Sequence, residues 1–201
     1  MQRYDPQTAL IVVDLQNDFA DPAGSLSVKG GAEIIPTING EVAAAGAAGA
    51  TVVFTQDWHP ESTPHFEKDG GIWPVHCVGG TWGAELHPEV VALEDAVRLR
   101  KGANGEDGYS GFTMRDPETG ETIPTPLEPL LRTRGVERVV VCGLATDHCV
   151  LATALDAVRR GLDTALLEDA VAAVNLQPRD GDRAVRLMRR SGIHIWQTRM
   201  R

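Results

Sequence analysis

Lysine, cysteine and aromatic residues are all scarce in this chain of 201 residues. Of its 19 basic residues only Lys29, Lys68 and Lys101 are lysine, so arginine is the default surface cation and each lysine invites a question. Basic runs are missing too, and the formal charge is -9. Such a surface repels phosphate backbones and anionic lipid heads, which argues against nucleic acid and membrane surfaces as partners and leaves a small molecule. The three cysteines, Cys77, Cys142 and Cys149, are odd in number and fall in no C-x-x-C spacing, so neither a disulfide framework nor a zinc knuckle is expected. No run approaches the ~18 apolar residues of a membrane helix. The polar start, Met1 to Gln7, lacks the apolar stretch of a signal peptide. A soluble, cytoplasmic protein is the expectation, with a homo-oligomer left open.

What is present suits a globular core. Hydrophobic residues make up 42% and charged residues 23% of the chain, which excludes disordered and low-complexity classes. Short apolar, β-branched runs recur at Thr8 to Val13, Ala50 to Phe54, Ala96 to Leu99, Arg138 to Cys142, Asp163 to Leu167 and His194 to Gln197. Several are apolar on both faces, as strands of a parallel sheet covered by helices must be. Segments with helical spacing lie between them: Glu33 to Ala48, Pro126 to Arg134, Thr146 to Arg160 and Arg179 to Ser191. Alternating β and α units predict one doubly wound, Rossmann-like α/β domain over residues 1–201, three layers around a mostly parallel six-stranded sheet. The exception is Asp57 to Asp95, rich in Pro, Gly, His and Trp and without periodicity. A loop of that length inside a domain is usually functional.

Ligands of such sheets bind beyond the carboxyl ends of the strands. Those ends carry Asp14, Asp57, Lys101 and the segment Leu144 to Val150. Cys149 follows a helix start that Thr146 or Asp147 can cap, and a thiol in a first turn feels the positive end of the backbone dipole, which favours the thiolate. A lone cysteine followed by Val150 and Leu151 otherwise reads as a small buried apolar residue; the charged strand ends tip the balance toward reactivity. Cys142 lies in an apolar strand and belongs to the core, while Cys77, next to His76, fits either the core or the border of a metal site. Asp14 and Lys101 beside a thiol supply what amide hydrolysis by cysteine requires: a carboxylate to take and return the proton, and a cation to hold the charged forms.

Asp57, His59, His65 and His76 form the other group. Residues i and i+2 of an extended segment point the same way, so Asp57 and His59 can share one ligand. A D-x-H pair with a further histidine suits zinc, iron or manganese, with positions left open for water or substrate. With aromatics at 5%, the placement of Phe19, Trp73 and Tyr109 near the strand ends counts: they can fill core, or stack on a flat ring. His148 adjoins the thiol and can line the same pocket.

Five motifs in order, VDLQNDF, FTQDWHP, WPVHCV, Lys101-Gly102 with the later YSGF, and GLATDHCV, span Val13 to Val150. Together they resemble the nicotinamidase branch of the isochorismatase-like cysteine hydrolases. The resemblance implies deamidation of nicotinamide to nicotinate and ammonia, a step of NAD salvage, and commonly of pyrazinamide as well. It implies Cys149 as nucleophile, Asp14 as general base and acid, and Lys101 as their cationic partner. It further implies a cis peptide from Leu144 to Ala145, with the N–H groups of Ala145 and Cys149 as oxyanion hole. Its metal site falls on Asp57, His59 and His76, with His65 a ligand in some members; zinc is favoured slightly over iron or manganese. Its pocket aromatics fall on Phe19, Trp73 and Tyr109.

Related isochorismatases, ureidoacrylate hydrolases and carbamoyl-amine amidases share the sheet and much of the cysteine motif, but the complete D-x-H and WP-x-H set favours the nicotinamidase branch. A catalytically dead scaffold would be expected to lack one of Asp14, Lys101 or Cys149. A thiol redox sensor would be expected to carry a resolving cysteine close to Cys149.

Overall fold

Side chains alternate across a strand, and in Thr8–Val13 (β1) both sides are buried. Leu10 and Val12 enter one hydrophobic cluster; Ala9, Ile11 and Val13 enter another. Helices must therefore cover both faces of the sheet. In the computed structural model, which describes residues 3–198, the helix Ile35–Ala47 (α2) brings Ile35, Ile38 and Val42 to the first cluster. The helices Leu127–Thr133 (α3), Leu151–Arg159 (α4) and Asp180–Arg190 (α5) bring Leu131, Ala154 and Met188 to the second. Met1, Gln2 and residues 199–201, parts of the expected single-domain span, lie outside the described residues. Among those described, no helix is long and apolar enough to cross a membrane.

The remaining strands are Thr51–Asp57 (β2), Val97–Lys101 (β3), Thr113–Arg115 (β4), Thr122–Pro124 (β5), Arg138–Leu144 (β6), Asp163–Ala172 (β7) and His194–Trp196 (β8). Six form one sheet in the order β3-β2-β1-β6-β7-β8, and every ladder recorded in it is parallel. The chain winds outward from β1 through β2 to β3, then returns to β1's other side as β6. The order thus reverses between β1 and β6, and ligands of open α/β sheets bind at such a point. All six expected strands are present, but β2, β3, β6 and β7 run further at their carboxyl ends. In β2, β3 and β7 the extensions carry Thr55, Gln56, Asp57, Arg100, Lys101, Glu168 and Asp169, polar residues that end an apolar run without ending a strand. Two elements went unforeseen: the short helix Asn17–Ala20 (α1) and the β4–β5 hairpin, whose three-residue strands are too short to show a period.

Asp57 to Asp95 contains no strand or α-helix beyond the end of β2, only single helical turns at Glu67–Asp69 and Trp82–Ala84. It is nonetheless folded on itself. Isolated bridges pair His59 with Val78 and Phe66 with Trp73. His59 N–H donates to the Cys77 carbonyl at 2.9 Å, and Trp73 N–H donates to that of His65 at 3.1 Å.

Candidate active site

β1 and β6 meet where Val13 pairs with Gly143. Gly143 has φ +106, and a Cβ there would collide with the Val13 backbone, so only glycine lets the strand ends come together. Beyond that point lie Asp14 on one strand and the cis Leu144–Ala145 peptide on the other. The next five residues, Thr146–Val150, form a π turn closed by Val150 N–H donating to the Ala145 carbonyl at 3.1 Å. Cys149 sits in this turn, just ahead of α4.

Lys101, at the end of β3, reaches across β2 to this point. Its Nζ is 3.0 Å from Asp14 Oδ2 and 3.8 Å from Cys149 Sγ, and it donates a short hydrogen bond to Asp57 Oδ1. Asp14 Oδ1 accepts the Thr55 hydroxyl at 2.6 Å, and an Asp14 oxygen lies within 4.8 Å of Cys149 Sγ. Asp14 and Lys101 are 0% and 2% exposed, so these charges face one another rather than solvent. Burial alone would lower the Lys101 ammonium, but Asp14 and Asp57 hold it well above its ordinary value. Burial would raise Asp57, and Lys101 with His59 overcomes that, holding it far below the usual carboxylate range. Asp14 is pushed up by burial and by Asp57, against the pull of Lys101.

Cys149 departs from expectation in its protonation. Burial pushes the thiol well above its ordinary value, Lys101 offsets this in part, and Asp14 and Asp57 add to it. The dipole expected to favour the thiolate is outweighed, and neither Thr146 nor Asp147 caps the turn. The N-cap is Ala145 without a side-chain bond, while Asp147 accepts the N–H groups of Val174 and Asn175 at 2.9 and 2.8 Å. The arrangement sets a thiol and a carboxylate, both pushed up by burial, beside an ammonium positioned to stabilise the anion on either.

Donor atoms of His59, His65 and His76 all lie within 4.8 Å of one another. The His76 ring is anchored through Nδ1 at 2.7 Å from the Pro74 carbonyl, and that of His65 through Nδ1 at 2.8 Å from the Thr63 hydroxyl. His65 Nε2 is buried without a hydrogen-bond partner. His59 Nε2 is 3.6 Å from Asp57 Oδ2. Burial, then the neighbouring imidazoles, push His65 down to about 4, and burial lowers His76. His65 and His76, each anchored through Nδ1, stand with His59, whose Nδ1 is buried without a partner, as imidazole donors that fit a divalent cation. His65 thus stands in the tightest group, while Asp57 lies between this group and Lys101, its two oxygens facing different partners. Cys77 is fully buried in the hydrophobic core beside the histidines, its thiol 3.7 Å from the Gly83 carbonyl.

A pocket of ≈ 560 Å³, its mouth included, opens over both groups. Phe19, Trp73, Tyr109, Leu144, Ala145, His148, Cys149, Asp57 and all three histidines line it, so it brings together all the sequence candidates except the buried Asp14 and Lys101. Trp73 Nε1 donates to the Tyr109 hydroxyl at 3.1 Å, and both rings meet His148 edge-on at 5.3 and 5.4 Å. Leu26, Val28, Asp107 and Val174 also line the pocket without having been singled out, because nothing in their local sequence sets them apart. Gln16 and Asp18 also carry a sequence signal, since both lie inside the VDLQNDF motif. Asp18 Oδ2 accepts the Cys77 N–H at 2.7 Å and ties the Phe19 segment to the histidine loop.

The sequence matches the isochorismatase domain family over residues 8–199. It is 46% identical over 170 residues to a nicotinamidase/pyrazinamidase of Mycobacterium tuberculosis, covering 83% of this chain and 87% of that protein. It is 33% identical over 207 residues to the nicotinamidase of Escherichia coli, covering 95% of each. The pyrazinamidase of Pyrococcus horikoshii, solved in complex with zinc, superposes with a TM-score of 0.85 at 44% identity, covering 96% of this chain and 99% of that one.

Proposed function

The chain belongs to the isochorismatase family, and from that premise we propose that it is a metal-dependent cysteine amidohydrolase that deamidates nicotinamide to nicotinate and ammonia, and pyrazinamide alongside it. The observation that carries the reading is the contact set around Lys101, whose ammonium touches Asp14, Asp57 and Cys149 on the floor of an aromatic-walled pocket.

Phe19, Trp73 and Tyr109 hold the pyridine ring, and Leu144 and His148 close the pocket beside it. Asp14 takes the Cys149 proton, and Lys101 stabilises the resulting thiolate. The thiolate attacks the carboxamide carbon, and the N–H groups of Ala145 and Cys149 donate to the oxyanion. Asp14 returns its proton to the nitrogen, the C–N bond breaks, and ammonia leaves a thioester on Cys149. Asp14 then deprotonates a water that attacks this thioester, releasing nicotinate and restoring the thiol. Asp57, His59 and His76, with His65 as a further ligand, would hold a divalent metal, which would supply a Lewis acid at the wall of the pocket that receives the ring. Zinc is favoured over iron and manganese, because imidazole and carboxylate donors suit it and the similar pyrazinamidase was solved with zinc.

Ammonia release from nicotinamide, pyrazinamide and a carbamoyl amine, combined with elemental analysis of the purified protein, tests this. Wild type turns over the first two, and Cys149→Ala releases no ammonia while retaining its metal. An unchanged rate in Cys149→Ala, or turnover of the carbamoyl amine alone, ends the proposal.

A further inference from the structure

The segment bearing Tyr109 is tied to the helix that continues from Cys149. Two α4 residues outside the pocket lining, Thr153 and Asp156, make the connection. The Thr153 hydroxyl accepts the Gly111 N–H at 2.9 Å. Asp156 Oδ2 accepts the hydroxyls of Ser110 at 2.8 Å and of Thr113 at 2.9 Å. The charge of the carboxylate is offset by Arg159, 3.0 Å from Oδ1, and by Arg160, 3.4 Å from Oδ2. Thr153, Asp156 and Ser110 are all buried.

An ionised carboxylate only accepts, so both hydroxyl protons are committed to Asp156. Burial would raise this carboxyl, yet the hydrogen bonds from Ser110, Thr113 and Arg159 hold it below the usual range. With its proton so engaged, Ser110 Oγ accepts the Phe112 N–H at 3.1 Å, which fixes the backbone that follows Tyr109. At its far end the Tyr109 hydroxyl accepts the Trp73 Nε1–H, and its ring meets His148 edge-on.

We propose that Asp156 is a positioning residue for substrate binding: acting through Ser110, it sets the Tyr109 wall of the pocket at a defined distance from Cys149. The role rests on the reading that this pocket receives a pyridine carboxamide. Asp156 touches neither substrate nor nucleophile, so it acts on the grip on the ring and not on the thiol chemistry. Losing it releases Ser110 while the Gly111–Thr153 bond and the Trp73 contact remain, so the Tyr109 wall is loosened rather than unfolded.

Three variants test this: Ser110→Ala, Asp156→Ala and the double variant. Each is measured for KM and kcat with nicotinamide, nicotinate affinity by calorimetry, alkylation of Cys149 by iodoacetamide, and melting temperature. Ser110→Ala deletes one bond and leaves Asp156 its other partners, so it stays informative even where Asp156→Ala does not fold. The expected result is a KM raised about tenfold in Ser110→Ala, the scale of one hydrogen bond to a charged group, with kcat and alkylation within about twofold of wild type. Nicotinate affinity falls in parallel, and the double variant is no worse than Asp156→Ala, because both changes cut the same link. Equal KM and nicotinate affinity in wild type and Ser110→Ala, a loss confined to kcat, or additive single effects would overturn the proposal. A wild-type protein that binds nicotinate but releases no ammonia would overturn the amidohydrolase reading instead and leave this comparison of affinities intact.

Discussion

The Gln16 side chain hydrogen-bonds both backbone groups of Asp57: its Nε2 donates to the Asp57 carbonyl at 2.6 Å, and its Oε1 accepts the Asp57 N–H at 2.8 Å. β1 has ended by this point, so the amide of Gln16 stands in for the peptide that would have continued the ladder. Its Nε2 also donates to the Ala84 carbonyl at 2.8 Å, joining the histidine loop to the sheet. Gln16→Leu leaves the two buried Asp57 backbone groups unpaired at a cost of ~1–3 kcal/mol each, while the Ala84 carbonyl keeps the Gln56 side chain at 3.0 Å. The expected outcome is a melting temperature lower by roughly 5–10 °C, together with weaker metal retention on dialysis, read by elemental analysis.

Among the described residues, Lys101 is the one cation that touches two buried carboxylates and the thiol. Removing one partner of a buried ion pair typically costs ~3–5 kcal/mol, because the other charge is left uncompensated. Lys101→Met, close in shape, should lower the melting temperature by roughly 10 °C and slow ammonia release by about a hundredfold or more, the scale of positioned proton transfer. Lys101→Arg should restore the charge but not the rate, since a planar fork does not replace a compact ammonium at a three-way contact. Full activity in the arginine variant would contradict this.

Gly102 has φ +79, and a Cβ there would lie 2.6 Å from His59 Nδ1. Both the backbone and the ring resist a side chain at this position. Gly102→Ala should therefore displace the imidazole and lower the metal content of the purified protein, with its far-ultraviolet circular dichroism unchanged. Dialysis of wild type against a chelator should reproduce the same loss of ammonia release, and adding zinc back should restore it in wild type only.

Asp147 gives the acid limb of stability a definite sign. Burial would raise its carboxyl, but His148 and the N–H groups of Asn175 and Val174 hold it down at about 2. A carboxyl whose folded value is depressed contributes stability that is present above its unfolded value of about 3.9 and is lost as the pH falls toward the folded value. The difference in urea midpoint between wild type and Asp147→Asn should therefore be constant from about pH 7 to 5 and shrink between about pH 4 and 2. A difference that grows on acidification would show the sign to be wrong.

Much of the fold was legible because burial on both faces leaves continuous apolar runs, as in TALIVV and RVVVC. The runs failed as guides at the carboxyl ends of β2 and β7, where polar residues continue the strand. The chemistry-bearing residues were legible for a related reason: a buried sheet tolerates Asp14, Asp57 or Lys101 only where something uses them. Asp156 and Thr153 carried no such mark, since polar residues in an amphipathic helix are ordinary. Their partners, Ser110, Gly111 and Thr113, lie more than forty residues away in the chain.

By itself the sequence determined which residues could do chemistry and on which edge of the sheet they would stand, because period and burial are local properties of the chain. Tertiary structure alone decided that Asp57 divides its oxygens between Lys101 and His59, and that His65 joins His59 and His76. It also decided that burial, with Asp14 and Asp57, pushes the Cys149 thiol up against the pull of Lys101. Each of these depends on distances closed by long-range contacts, such as the bridge from His59 to Val78 and the reach of Lys101 across β2, and on a desolvation that no residue carries in isolation.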